Sequence, residues 1–529
     1  MHTKTSGINK VKKFFQHNHK LLTLFTILTF LNIFFLCLNF QTNNLTFGKT
    51  FIFIIIGSIL LEILLCAIIL IAKKKKWKIE KLFLILSLII GVFYVFAIPI
   101  GRAPDEAAHF FRIYEITTGH FTSDVTEDGK YGGSTQASNI DFVNNFATDN
   151  VKYIDILNNL SIYPDNSEQI FIKTSASSYH PIDYFPHLLG MGLGEFLHLP
   201  ILVSAYIAKL FNLIICILIL YFSIKYIPFL KEFIFFIAFL PITMQGMSSL
   251  SADGFIIAIA IAFISFILYS TYTMQHHFAK KHYLLIFSLC LVLSLSKIVY
   301  AFLCLLIFAI PKKRFNGQKQ KTITILIIGG ICAASLLVWL FISASIQAPV
   351  DPTNREVLLS NPLKYLAILI RSVSSNFYLY LNGTLGGYLE WFNVVLSPLY
   401  IIPSLIIFIL LCKKARDHIL ITPTIKILAI CIFIIISTLI FSIMFTQWTK
   451  PGETIIDGVQ GRYFIPLLLL IPLALMKNQQ HDRLSFPKFS NKNTTIAKTI
   501  PMLNQNYYIY GFYIFEGVYA IIALACTHL

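Results

Sequence analysis

With 529 residues, 56% hydrophobic and 15% aromatic, and a mean hydropathy of +0.73, the chain is too apolar for an ordinary soluble protein. Only 13% of residues are charged, and 42 Lys and Arg outnumber 25 Asp and Glu, giving a formal net charge of +17. Repeated apolar runs of about 20 residues mark a polytopic membrane protein, so the basic excess reads as cytoplasmic loops rather than a nucleic-acid surface. The 9 cysteines all fall in apolar runs, for example Cys37, Cys216 and Cys431. No disulfide and no cysteine-based metal site is expected.

Residues 1–20 carry Lys4, Lys10, Lys12, Lys13 and Lys20 and are expected in the cytoplasm. The following apolar run at 21–40 has no small-residue cleavage site and reads as an uncleaved first helix. A second helix is expected at about 50–72, and Lys73–Lys78 after it marks the cytoplasmic side. A third, at 81–100, leads outward to Gly101-Arg102-Ala103-Pro104-Asp105-Glu106-Ala107-Ala108-His109-Phe110-Phe111-Arg112. Pro104 suits a helix's first turn and Gly119 its end. Such a helix sets Asp105, His109 and Arg112 at i, i+4 and i+7 on one face, with Glu106 beside them. This density of ionisable groups at a membrane boundary points to a site. The plainer reading is that Asp105 and Glu106 satisfy the positive helix end.

The stretch 101–184 is the longest polar segment and holds about 12 of the acids against about 5 bases. It is expected outside, as a small ordered subdomain of short helices. It ends in Tyr179-His180-Pro181-Ile182-Asp183-Tyr184-Phe185-Pro186-His187, a bent re-entry or an aromatic interfacial anchor. Helices follow at about 200–222, 232–247, 253–273, 283–296, 298–310 and 322–344, with basic stretches on the inner side. The turn Met247–Gly254 is expected outside, with Ser251 or Asp253 as a cap. Lys297, near Tyr300, interrupts an apolar stretch and requires an anionic partner or a route to the interface. Residues 345–392 read as a second outer loop with Asp351, Arg355, Arg371 and the Gly383–Gly387 turn region, which is not a P-loop. Helices at about 393–412 and 424–446, a third outer loop at 447–462 and an apolar run after Arg462 come next. A polar cytoplasmic segment and a last helix at about 507–526 complete roughly thirteen helices, N-terminus in. The divisions are 1–100, 101–186, 187–476 and 477–529.

Arginine's planar fork matches phosphate oxygens, and a carboxylate at the same level can take a proton from a hydroxyl. The combination fits group transfer from a phosphate-linked lipid to an outside acceptor. The motifs Pro104-Asp105-Glu106-x-x-His109, Ser251-Ala252-Asp253, Lys297 with Tyr300, Gly383–Gly386 and Gln460-Gly461-Arg462-Tyr463-Phe464-x-Pro466 resemble a bacterial family of uncharacterised polytopic membrane proteins grouped with the GT-C glycosyltransferases. The resemblance runs from about the third helix to Pro466. It implies an all-α GT-C-like fold with a large first outer loop carrying membrane-lying helices, and a polyprenyl-phosphate-linked sugar as donor. Asp105 or Glu106 is then the base with His109 beside it. Arg102, Arg112, His180, Asp183, Lys297, Tyr300, Gln460, Arg462 and Tyr463 are substrate-binding candidates. Two helices precede the family's usual first one.

The function expected is transfer of that sugar to a cell-surface polysaccharide, teichoic acid or glycolipid, outside the bacterial plasma membrane. The alternatives are a transporter or flippase of lipid-linked saccharides, which places ionisable groups at the bilayer midplane, and a non-catalytic scaffold. Glu62 and Lys209 are the partial midplane exceptions. Whether a divalent cation takes part is open; Asp105, Glu106 and His109 are its candidate ligands. Beyond donor, acceptor and lipid bilayer no partner is implied, and no nucleic acid.

Overall fold

The computed structural model describes residues 2–125, 131–146, 151–164, 170–344, 352–478 and 507–529. Asp351 and most of the expected cytoplasmic segment 477–506 lie outside them. The protein is all-α in its membrane part. Among the described residues nine helices are long and apolar enough to cross a bilayer: Asn18–Thr42, Lys49–Lys74, Ile79–Ala97, Ile201–Tyr226, Asp253–Thr273, Gln318–Ile342, Pro398–His418, Pro423–Gln447 and Ile509–Thr527.

The helices in chain order are α1 His2–Thr42, α2 Lys49–Lys74, α3 Ile79–Ala97, α4 Glu106–Thr117, α5 Ala137–Asn144, α6 Tyr153–Asn158, α7 Phe185–Phe196, α8 Ile201–Tyr226, α9 Lys231–Phe239 and α10 Pro241–Met247. They continue as α11 Asp253–Leu268, α12 Lys280–Leu295, α13 Gln318–Ala344, α14 Pro352–Ser360, α15 Pro362–Leu385, α16 Pro398–His418, α17 Pro423–Gln447, α18 Leu470–Leu475 and α19 Tyr507–Thr527.

Proline and helix geometry account for the difference between roughly thirteen expected helices and nine long ones. The stretch 232–247 divides into α9 and α10 at Pro241, because the residue before a proline leaves the helical region. Ile298–Ala309 is a 3-10 helix, and α12 has 16 residues. The run after Arg462 is a 3-10 turn, Gly461–Leu467, containing Pro466, followed by the six residues of α18. The stretch 345–392 is not a plain loop. It contains α14 and the 24-residue α15, and near its end Tyr388–Leu389 pairs antiparallel with Val394–Val395 just beyond it.

The segment 101–184 forms an ordered subdomain, as its aromatic content implies, but with strands as well as helices. β1 Asp124–Val125, β2 Tyr131–Thr135 and β3 Ile170–Lys173 make an antiparallel sheet in which Gly132 faces both Asp124 and Lys173. Such short strands leave no alternating pattern to read.

Contacts divide the chain into two units, Met1–Ile90 with Ser485–Leu529, and Gly91–Leu484. In the first, Phe35 of α1 packs against Tyr519 of α19 with ring centres 4.5 Å apart. Glu62 of α2 accepts hydrogen bonds from Thr29 and Asn32 of α1. In the second, α11 is apolar on every side, and 89% of its membrane window is buried. For α13 the figure is 11%, as for a peripheral helix facing lipid. The buried Lys209 of α8 donates to the Ile98 carbonyl at 2.7 Å. The central helix α11 begins with Asp253, and this organises the candidate site.

Candidate functional site

Four segments of the larger unit deliver the site. The first is the start of α4. Glu106 is fully buried and takes no part in solvent chemistry. Its carboxylate accepts from the Gly101 and Ala103 N–H groups at 2.9 and 3.1 Å, and from the Leu250 N–H at 2.9 Å. Glu106 thereby ties the entry of α4 to the serine-rich turn before α11. Asp105 lies before the helix rather than in it, with φ +60°, a left-handed conformation costly for a residue with a Cβ. That backbone turns its side chain away from the helix axis, and 34% of it remains exposed.

The second segment is the turn itself. The N-cap position of α11 is Ala252, so neither Ser251 nor Asp253 caps it; Ser251 Oγ accepts from the Asp253 N–H at 3.2 Å in a local turn just before the helix. The Asp253 carboxylate is left for side chains. Gly254 lets α11 approach α10: a Cβ there would stand 2.5 Å from the Gly246 carbonyl oxygen. The third segment, the break between α12 and the 3-10 helix, brings Ser296, Lys297 and Tyr300. The fourth is Gln460–Phe464. Gly461 crosses α15 backbone to backbone; a Cβ would fall 2.2 Å from the Thr384 nitrogen, and Thr384 Oγ1 donates to the Gly461 carbonyl at 3.0 Å. The Gln460 carbonyl accepts from the Tyr463 N–H at 3.1 Å, starting the turn that aims Arg462 inward.

These segments assemble a chain of alternating charge. Arg462 Nη2 lies 3.0 Å from Asp105 Oδ2, and Arg462 Nε lies 3.4 Å from Asp253 Oδ2. Lys297 Nζ donates to Asp253 Oδ1 at 2.5 Å. The anionic partner that Lys297 requires is therefore Asp253. Lys297 also stands 5.0 Å from the Tyr463 ring centre and 5.8 Å from that of Tyr179, within cation–π range. Arg462 stacks over Tyr463 at 5.4 Å, and Tyr300 OH donates to the Tyr463 carbonyl at 2.9 Å. Burial opposes the charge of both cations. Asp253 together with Tyr179, Tyr300 and Tyr463 outweighs it at Lys297, and Asp253 together with Tyr463 and Asp105 at Arg462, so both are held above their ordinary values. The side chain of Arg462 is 9% exposed, against 34% for Asp105, so the chain opens to solvent at its Asp105 end.

Behind the chain lies a set of titratable groups. His109 is buried and shares a 2.6 Å hydrogen bond with Tyr184 OH through Nδ1. Burial lowers it to about 4, although Asp253 and Asp105 favour its charged form. Asp183 is buried and accepts from Ser296 Oγ at 2.5 Å. Burial raises it to about 7, against the Ser296 hydrogen bond and Lys297. Burial also raises the Tyr179 phenol to about 12.

Asp105, His109 and Arg112 do not form one catalytic face. Arg112 is fully buried and donates to Glu115 at 2.6 Å, Ser123 at 3.2 Å, the Phe121 carbonyl at 2.7 Å and the Tyr179 carbonyl at 3.3 Å. It staples the subdomain together, and the guanidinium beside Asp105 is that of Arg462. Arg102 lies 3.6 Å from the buried Glu390. His180 packs edge-on against Trp339 at 4.5 Å, and its Nδ1 accepts from the Ile182 N–H. Neither joins the ion chain. The role missed by sequence reasoning is that of Asp253, which the turn presents as a cap. Tyr179 and Tyr184, from the segment read as either a bent re-entry or an interfacial anchor, line the same site. Among the described residues no group of three His, Cys, Asp or Glu side chains could hold a metal ion; Glu106 is committed to backbone N–H groups, away from Asp105.

Residues 88–471 match the family model described as "Predicted membrane protein (DUF2142)", so the chain belongs to that family. No curated protein and no solved structure matches the chain.

Proposed function

We propose that this member of the family is a membrane glycosyltransferase of GT-C type. It transfers a sugar from a polyprenyl-phosphate-linked donor to a cell-surface acceptor on the outer side of the bacterial plasma membrane. The observation that carries this reading is the ion chain. A part-exposed carboxylate, Asp105, held in a strained backbone conformation, meets Arg462, which shares Asp253 with the half-buried Lys297 beside membrane-spanning helices. Asp105 takes the proton of an acceptor hydroxyl as its oxygen bonds to the anomeric carbon. The bond between that carbon and the phosphate oxygen breaks, and its electron pair leaves with the lipid phosphate. Arg462 and Lys297 stabilise the charge developing there. The strain and the solvent opening support Asp105 as base; the three N–H groups on Glu106 support a structural role for that residue.

The decisive experiment gives purified protein a polyprenyl-phosphate sugar and an acceptor glycan. Asp105→Asn should lose about 10²–10⁴-fold in rate with the fold intact. Arg462→Lys keeps charge but loses the planar fork, and should weaken donor binding. Parental activity in Asp105→Asn would falsify the role of Asp105. The lipid-linked saccharide that accumulates on deletion of the protein identifies the donor.

A further inference from the structure

A cavity of about 220 Å³ lies between α14, α15, the end of α17 and the following loop, and none of the ion-chain residues lines it. Its walls include Lys364 and Arg371 of α15, together with Ile368, Phe445, Glu453 and Thr454. Lys364 and Arg371 are two turns apart on the same side of the helix, about 10 Å along the axis, and long enough to converge on one group. Both are exposed, and among the described residues neither has a side-chain hydrogen bond or ion pair. Among the described residues that line it, Glu453 is the single carboxylate against Lys364 and Arg371.

The walls are fixed before any ligand arrives. Ser372 Oγ accepts from the Ile456 N–H at 2.8 Å, and the buried Asn354 donates to the Phe445 and Thr449 carbonyls at 2.9 and 2.7 Å. Tyr365 OH is 2.8 Å from Ser442 Oγ. Another side of the same helix, before its kink at Asn376, carries an apolar stripe, Leu363, Leu366, Ile370 and Val373, between 37% and 77% exposed. Spacing of 3, 4 and 3 keeps these on one line, as in an amphipathic helix that turns one face to lipid.

We propose that this cavity binds the phosphate headgroup of an anionic membrane lipid. The apolar stripe holds α15 at the depth where headgroups lie, and Lys364 and Arg371 supply the charge that recognises phosphate. This site is separate from the ion chain, and the proposal does not depend on glycosyl transfer. The loop that walls the cavity runs on to Gln460 and Arg462, so an occupied headgroup site braces the segment that carries Arg462.

Protein in phosphatidylcholine nanodiscs is titrated with dicetyl phosphate, a two-chain lipid with a bare phosphate, and bound lipid is counted by native mass spectrometry. The parent should retain one dicetyl phosphate more than Lys364→Gln with Arg371→Gln, whose cavity binds it about thirtyfold more weakly. Lys364→Arg with Arg371→Lys should restore binding, and Arg462→Lys should leave this site unchanged. Equal retention by parent and double Gln variant overturns the proposal. Displacement of the lipid by millimolar inorganic phosphate also overturns it, because the site then serves a free anion.

Discussion

Asp105 and Glu106 are chain neighbours with opposite tasks, and the difference lies in what their oxygens touch. Glu106 has three N–H donors in a sealed environment. Glu106→Gln should therefore cost roughly 3 kcal/mol of stability, read as a lower unfolding temperature in detergent; an unchanged temperature would remove its stapling role. The titratable pair behind them gives a pH signature. Asp183 is raised from 3.8 to about 7, so the native state holds its proton more tightly than the unfolded chain does. Its contribution to stability is complete below about 4 and is lost as pH rises through about 7. His109 is lowered from 6.5 to about 4, so its contribution is present above 6.5 and is lost as pH falls through about 4. Asp183→Asn should flatten the decline of thermal stability between pH 5 and 8; a decline as steep as the parent's would show that another group causes it.

At the scale of elements, the site is made by breaks. The positive-φ step before α4, the turn before α11, the switch from α12 to a 3-10 helix and the turn at Gly461 each place a polar group where a continuous helix would hide it. Gly461 is the most demanding of these. Gly461→Ala needs the α15 backbone to move by more than an ångström, at a cost of about 1–3 kcal/mol. It should displace Arg462 and reduce transfer more than Arg462→Lys does; parental activity would show that the crossing tolerates a side chain. These breaks also set what was legible in the sequence. Long apolar runs disclose α1, α2, α8 and α17 because length and hydropathy alone decide a span. The motif residues Asp105, Lys297 and Arg462 stand out as charges at span ends. Their pairing does not, since Asp105 and Arg462 are 357 positions apart and no local period links them. The division of 232–247 was signalled by Pro241, whereas the 3-10 geometry of Ile298–Ala309 has no such marker and comes from packing.

For the whole molecule, orientation is the first quantity to measure. If basic flanks set it, Lys75 is cytoplasmic and Ser134, on β2, is outside. An impermeant thiol reagent applied to cells should label Ser134→Cys and not Lys75→Cys; the reverse pattern inverts the protein in its membrane. The ion chain also bears on how the protein is made. Its members are synthesised in the order Asp105, Asp253, Lys297, Arg462. During translation two carboxylates wait for counterions, and the second cation arrives only after some 350 residues have followed the first acid. A chain without Arg462 matures with an uncompensated carboxylate near its central helix. Breaking one member of such a set costs more than removing two that oppose each other. Arg462→Ala should therefore lower the yield of folded protein, and adding Asp253→Asn should recover part of it. Additive losses in the double variant would mean that the pair is not formed during biogenesis. On this view the charges that serve chemistry at the finished site act earlier as a checksum, satisfied only when the last of the four segments has been inserted and docked.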